Sequence, residues 1–170
     1  MSGLEKWVMA TAKVAPRKAR FTTLVTGLSG LWLIHRLGAW SRFADAAYAQ
    51  GVADVFLDEL QRNGVTTALT FATSHPASVD ALLGQAHARG LRMIAGKVLQ
   101  DRHSPDGVRD DTEQSLVDTE ALIHKWHGKG RLGYAITPRF APSCTEAQLR
   151  GAGELAAKYP DVWIQSHVAE

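Results

Sequence analysis

The stretch YAITPRFAPSCTEAQLRGAGELAAKYPDVWIQSHVAE, residues 134–170, decides the fold. It reads as strand, turn, helix, strand. The first apolar run leads into Arg139, and the second into His167 and Glu170, side chains that are costly to bury. Between them Thr145 and Gln148 have capping-box spacing. Leu149, Ala152, Leu155, Ala156 and Tyr159 then recur at helical intervals. Pro160 and Asp161 turn the chain into VWIQSH.

The same unit repeats upstream. Tyr48, Val52, Val55, Phe56 and Leu60 mark a helix that Asn63-Gly64 ends. VTTALTF follows as a β-branched run of strand length. His75-Pro76 starts a second helix, with proline in the first turn and Val79, Leu82, Leu83 and Ala86 as its buried stripe. LRMIAGKVL is the next strand, and a polar loop with Pro105 and Gly107 leads to a helix carrying Leu116, Ile123 and Trp126. RLGYAIT is the strand that opens the quoted stretch. Alternation of this kind predicts α/β architecture with a parallel sheet covered on both faces. A closed (β/α)8 TIM barrel needs about 250 residues, so four βα steps predict a partial barrel. An open doubly wound sheet is the competing architecture. No Gly-rich dinucleotide loop accompanies it.

Composition narrows the function classes. An apolar share of 45%, a charged share of 21% and a net charge of +2 are those of an ordinary globular chain. They favour neither nucleic acid nor a membrane surface as partner. The longest apolar run, residues 24–34, is too short to span a bilayer. Cys144 is the only cysteine. It excludes an internal disulfide and any multi-thiolate site, and makes a reducing compartment, the cytoplasm, the expected location. Residues 1–40 stand apart, with Lys6, Lys13, Arg17, Lys18, Arg20 and Arg36 against Glu5 alone. This head has the basic composition of a transit peptide but no clear amphipathic face. Two regions are therefore expected, an atypical basic head over 1–40 and a partial barrel domain over 41–170.

In a barrel the chemistry sits at the carboxyl ends of the strands. The strand exits place Thr73, Ser74 and His75, then Lys97 and Asp101, then Thr137 and Arg139, then His167 and Glu170 on one rim. His167 suits a zinc or iron ligand, or a hydrogen-bonded strand end. Glu170 suits proton transfer, or a solvated helix start. Arg139 offers a planar donor fork, or a salt bridge. Phe140 stacks on a ring or packs in the core. A salt bridge is the expected role of Lys97, helix capping that of His75, and a half-exposed surface position that of His124 and His127.

With TPRFAPSC (137–144) followed by IQSHVAE (164–170) the combination becomes specific. Together with SRFADAAYAQGVADVFLDELQRNGVTTALTFATSHPASVDALL (41–83) and MIAGKVLQDR (93–102), it resembles the guanine deaminases of the amidohydrolase superfamily. The resemblance implies zinc-dependent hydrolysis of guanine to xanthine and ammonia in purine catabolism. It makes His167 the zinc ligand of the fifth barrel strand, bordering the substrate, and Glu170 the proton shuttle. Arg139 and Phe140 become the pair that contacts the purine. Residues 65–71, 91–99, 131–137 and 162–167 become barrel strands two to five, and a homodimer is the assembly of the complete enzyme. Such chemistry needs hydroxide at neutral pH, which a bound metal supplies, and a carboxylate to move its proton. The other zinc deaminase class needs a Pro-Cys-x-x-Cys pair, which one cysteine excludes.

The sequence departs from that family before residue 41, where its His-x-His pair is absent and His35 stands alone. The further ligands from later strands are absent too. A partial chain, inactive by itself, is the resulting expectation, with a frameshifted or misassigned head as the first explanation and an alternative folded head as the second. The alternatives in function are a non-catalytic purine-binding or assembly module, and another metal-dependent aminohydrolase acting on a pterin or triazine.

Overall fold

A computed structural model describes residues 40–168. Residues 1–39, 169 and 170 lie outside that range, and with them nearly all of the expected head and its proposed break in reading frame. After a 3-10 turn at Ser41–Ala44, helix α1 runs over Ala46–Arg62. Asp45 caps it by accepting hydrogen bonds from the N–H groups of Ala47 (2.8 Å) and Tyr48 (3.2 Å). Ala49, Ala53, Phe56, Leu57 and Leu60 form its buried stripe. The helix stops at Asn63 because Gly64 takes the left-handed conformation, φ +71°.

Strand β1 (Thr67–Phe71) follows, then helix α2 (Pro76–Ala88), strands β2 (Arg92–Gly96) and β3 (Val98–Leu99), and helix α3 (Thr112–Trp126). Strand β4 (Leu132–Pro138), helix α4 (Glu146–Lys158) and strand β5 (Trp163–Ile164) complete the order. Among the described residues every pairing is parallel: β1 with β2, β2 and β3 with β4, and β4 with β5. Strands β2 and β3 meet β4 in the same register, Met93 opposite Leu132 and Val98 opposite Thr137. They are one strand interrupted at Lys97. The interruption has a local cause. Strand β4 approaches so closely that a Cβ on Gly96 would fall on the Ala135 carbonyl oxygen, and the Lys97 N–H turns to the Tyr134 hydroxyl at 3.1 Å instead of a ladder carbonyl.

The sheet curls. Strands β1 and β5 lie three pairings apart, which would be about 14 Å in a flat sheet. Yet the Phe71 and His167 rings at their carboxyl ends stand 4.4 Å apart between centroids. Gln165 donates from its Nε2 to the Thr70 carbonyl (3.1 Å) and to Thr137 Oγ1 (3.0 Å). Curvature of that order is the wall of a barrel, as the strand–helix alternation predicts.

One continuous core lies between sheet and helices, from Phe56, Leu57 and Leu60 through Met93, Tyr134 and Ile136 to Leu155 and Val162. All seven residues of β4 are buried. The expectation that every strand is covered on both faces needs correction. Leu69, Ile94 and Gly133 share one face by register, and Leu69 is 39% exposed there. Trp163 and Ile164 are 54% and 61% exposed. Strand β5 is also shorter than the predicted 162–167, although hydrogen bonds continue from the Gln165 N–H to Ile136 O and from the His167 N–H to Arg139 O. Among the described residues no helix is long and apolar enough to cross a membrane.

Candidate functional site

The carboxyl ends of the strands gather Phe71, Gln100, Asp101, Arg139, Phe140 and His167. Arg139 is fixed at its root and at its tip. Its N–H donates to the Leu99 carbonyl at 3.0 Å, and its own carbonyl accepts from the His167 N–H at 2.9 Å. Its Nη1 donates to Gln100 Oε1 at 3.2 Å. The guanidinium carbon stands 5.4 Å from the centroid of the Phe140 ring, a cation–π contact. Both side chains are half-buried, so a planar donor fork and an aromatic face are presented together. His167 is exposed beside Phe71. Arg139, Phe140 and His167, predicted from the sequence to share a rim, are thus adjacent. Glu170 lies outside the described residues.

Lys97 does not enter the site. It is 1% exposed, and its Nζ meets Asp110 Oδ1 at 2.6 Å, the expected salt bridge. Burial pushes the Asp110 carboxyl above the ordinary range, by more than Lys97 pulls it down. Asp110 Oδ2 also accepts the Gln100 N–H at 2.9 Å, which ties the loop after β3 to the strand end.

Asp101 is a hub. Its Oδ2 accepts from the hydroxyls of Thr112 (2.7 Å) and Thr145 (2.6 Å), and its Oδ1 accepts the Thr145 N–H at 2.6 Å. Burial raises its pKa, but these three bonds outweigh burial and leave it below the ordinary carboxylate value. The capping box predicted at Thr145 is half made. Thr145 Oγ1 accepts the Gln148 N–H at 3.2 Å. The Gln148 side chain, fully buried, turns instead to the Asp101 N–H (3.3 Å) and Ser115 Oγ (3.0 Å). Asp101 has taken the Thr145 N–H that the box would assign to it.

The remaining histidines divide. His75 occupies the N-cap position of α2 but makes no capping bond through its side chain. A hydroxyl pair, Thr73 and Ser78 at 2.7 Å, ties that turn instead. Burial lowers the His75 pKa, and the Lys97 charge adds to that. His124 and His127 do not act as a pair. His124 meets the Tyr159 hydroxyl at 2.8 Å, while His127 accepts the Tyr134 N–H at 3.0 Å and faces Asp161 at 3.1 Å. Among the described residues no three His, Cys, Asp or Glu side chains come together to hold a metal. Sequence reasoning missed Gln100 and Asp110. Both lie in polar surroundings where nothing in the spacing singles them out.

A curled parallel sheet with alternating helices, and a polar rim at its carboxyl edge, defines a segment of a (β/α) barrel. The chain belongs to the amidohydrolase family, whose pattern matches residues 18–170; these are typically metal-dependent barrel enzymes. It is 46% identical over 136 residues to the guanine deaminase of Escherichia coli (strain K12), covering 80% of this chain and 31% of that protein. The solved structure of E. coli guanine deaminase superposes with a TM-score of 0.75 at 48% identity, over 76% of this chain and 31% of that one. The guanine deaminase of C. acetobutylicum, solved with guanine bound in the active site, gives a TM-score of 0.78 at 33% identity, over 84% and 34%. The chain spans about 30% of the length of the curated relatives it matches.

Proposed function

We propose that this chain forms the purine-binding part of a guanine deaminase active site, in an enzyme that hydrolyses guanine to xanthine and ammonia. The observation that carries the reading is the Arg139–Phe140 pair. It sets a fixed guanidinium and an aromatic face side by side at the end of β4, with His167 hydrogen-bonded to the same residue. Phe140 offers a stacking surface to a flat base. The guanidinium offers charge-assisted donors to the carbonyl and ring-nitrogen acceptors on the base's edge. Similarity to guanine deaminases, one of them solved with guanine bound, supports guanine as that base.

Zinc is the metal this reading implies, with His167 as one ligand and Glu170 carrying protons beside it. One imidazole does not close a three-ligand site, so the chemistry assignable to the described residues is binding and orientation of the base. The same reading includes a barrel domain beginning near residue 41 after a separate head, a homodimeric assembly and a cytoplasmic location.

Calorimetric titration of the chain with guanine and with adenine tests the proposal. Guanine should bind more tightly. Arg139→Ala should weaken guanine binding about ten- to a hundredfold, the loss of a charged hydrogen bond worth about 1.5–3 kcal/mol. Equal affinity for the two bases, or an Arg139→Ala variant that binds guanine as the parent does, would defeat the assignment.

A further inference from the structure

We infer that Gln100 is a positioning residue that sets the orientation of the Arg139 guanidinium and thereby the affinity of the rim for a planar base carrying acceptors on one edge. The inference rests on the purine reading above for its ligand, but not for its geometry.

Gln100 follows β3 directly and is 7% exposed. Its polar groups are all engaged. The N–H donates to Asp110 Oδ2 at 2.9 Å, and the backbone carbonyl accepts the Asp110 N–H at 2.9 Å. The side-chain Nε2 donates to the Val108 carbonyl at 3.0 Å, and Oε1 accepts from Arg139 Nη1 at 3.2 Å. The third and fourth of these bonds decide the orientation of the amide. A carbonyl oxygen accepts and never donates, so the NH2 end must face Val108. The oxygen end is then compelled to face Arg139. Flipping the amide would set oxygen against oxygen at Val108 and N–H against N–H at Arg139.

The carbonyl of Val108 is itself held. Asp110, two residues on, is anchored by Lys97 at 2.6 Å and by Gln100 at both backbone atoms. A connected chain of contacts thus runs from Lys97 through Asp110 and Gln100 to Arg139. A guanidinium carries five N–H donors. No other side chain among the described residues accepts a hydrogen bond from Arg139. Gln100 therefore fixes the plane of the fork while leaving donors for a ligand. A fork fixed before binding loses less rotamer freedom when the ligand arrives.

A plain loop-anchoring role for Gln100 is the competing explanation, and two substitutions separate them. Gln100→Leu removes both side-chain bonds. Gln100→Glu keeps an acceptor for Arg139, loses the donor to Val108 and turns an oxygen towards the Val108 carbonyl, a cost that the ion pair with Arg139 offsets. In the 15N-labelled chain, the Arg139 side-chain signals, identified by their loss in Arg139→Ala, report rotation about the Cζ–Nη bonds. Rotation should be slow in the parent and in Gln100→Glu, and fast in Gln100→Leu. Guanine affinity should fall about two- to tenfold in Gln100→Leu, the range for one hydrogen bond, and be largely retained in Gln100→Glu. The inference is overturned if Gln100→Leu leaves Arg139 rotation unchanged, or if the two variants free Arg139 equally. If Gln100→Leu lost its cooperative melt, Gln100→Glu alone would decide, since fast Arg139 rotation there sinks the idea. A parent chain that binds no guanine would defeat the purine reading, while the rotation measurement would still decide the positioning.

Discussion

Lys97→Met replaces a buried ammonium with an apolar chain of similar length and leaves Asp110 without its ion partner. The Asp110 side chain is 8% exposed, and the Gln100 N–H would be its one remaining hydrogen-bond donor. An unpaired buried carboxylate has a way out, which is to take up a proton. That escape sets a ceiling on the loss. Neutralising a group whose ordinary pKa is about 3.9 costs about 4 kcal/mol at pH 7, at roughly 1.36 kcal/mol per unit, and only about 1.5 kcal/mol at pH 5. The sign follows from linkage. With Lys97 gone, the folded-state pKa of Asp110 lies further above its unfolded value. The group then costs stability above the unfolded pKa, and the cost shrinks as pH falls towards it. Urea unfolding of parent and variant at pH 7 and pH 5 measures both values. The double variant Lys97→Met with Asp110→Asn removes the titration, so its stability relative to the parent should change less between the two pH values than that of Lys97→Met alone. A Lys97→Met deficit below about 1 kcal/mol, or one equal at pH 7 and pH 5, would refute the reasoning.

Gly96→Ala places a methyl group on the Ala135 carbonyl oxygen of the buried strand β4. It should cost about 3 kcal/mol or more, visible as a lowered Tm; a Tm within 3 °C of the parent would show that the strands can part. Asp101 has a folded pKa below its ordinary value. Its contribution should be complete above that ordinary value and lost as pH falls through the folded one. Between pH 5 and pH 2 the Tm of the parent should therefore fall more steeply than that of Asp101→Asn, and parallel slopes would rule this out.

The sequence predicts the succession of strands and helices well, because the signals are local. Asn63-Gly64, Pro76 and Thr145 mark helix ends by their own backbone and side-chain chemistry. A lysine inside the apolar run of residues 91–99 demands a carboxylate, so the salt bridge of Lys97 is legible. Which carboxylate is not. Asp101, Asp106, Asp110 and Asp111 all stand in the following loop, and only the loop's path brings Asp110 to Lys97. Arg139, Phe140 and His167 are legible as rim residues because strand ends converge in this architecture. The bond from Gln100 to Arg139 is not, since it joins two strands through an amide orientation that a third residue's carbonyl dictates. The exposure of Trp163 and Ile164 misleads in the other direction. Their apolar character suggests a buried strand, but burial depends on what packs against the strand, and the sequence of the strand itself does not contain that.

The carboxylate of Asp101 joins the first turns of α3 and α4 through Thr112 and Thr145. Thr145 lies 44 residues further along the chain. Helix α4 thus receives its start from a strand end formed far earlier in sequence, and it shares that start with α3. Isolated helices of 13 or 15 residues are marginal in water. The two helices should therefore behave as a single cooperative unit, their amides exchanging with solvent through one common opening in place of two separate frayings. Thr145 receives the Asp101 bonds only once the end of strand β3 has delivered that carboxylate, so closure of the loop between Asp101 and Thr145 is expected late in folding.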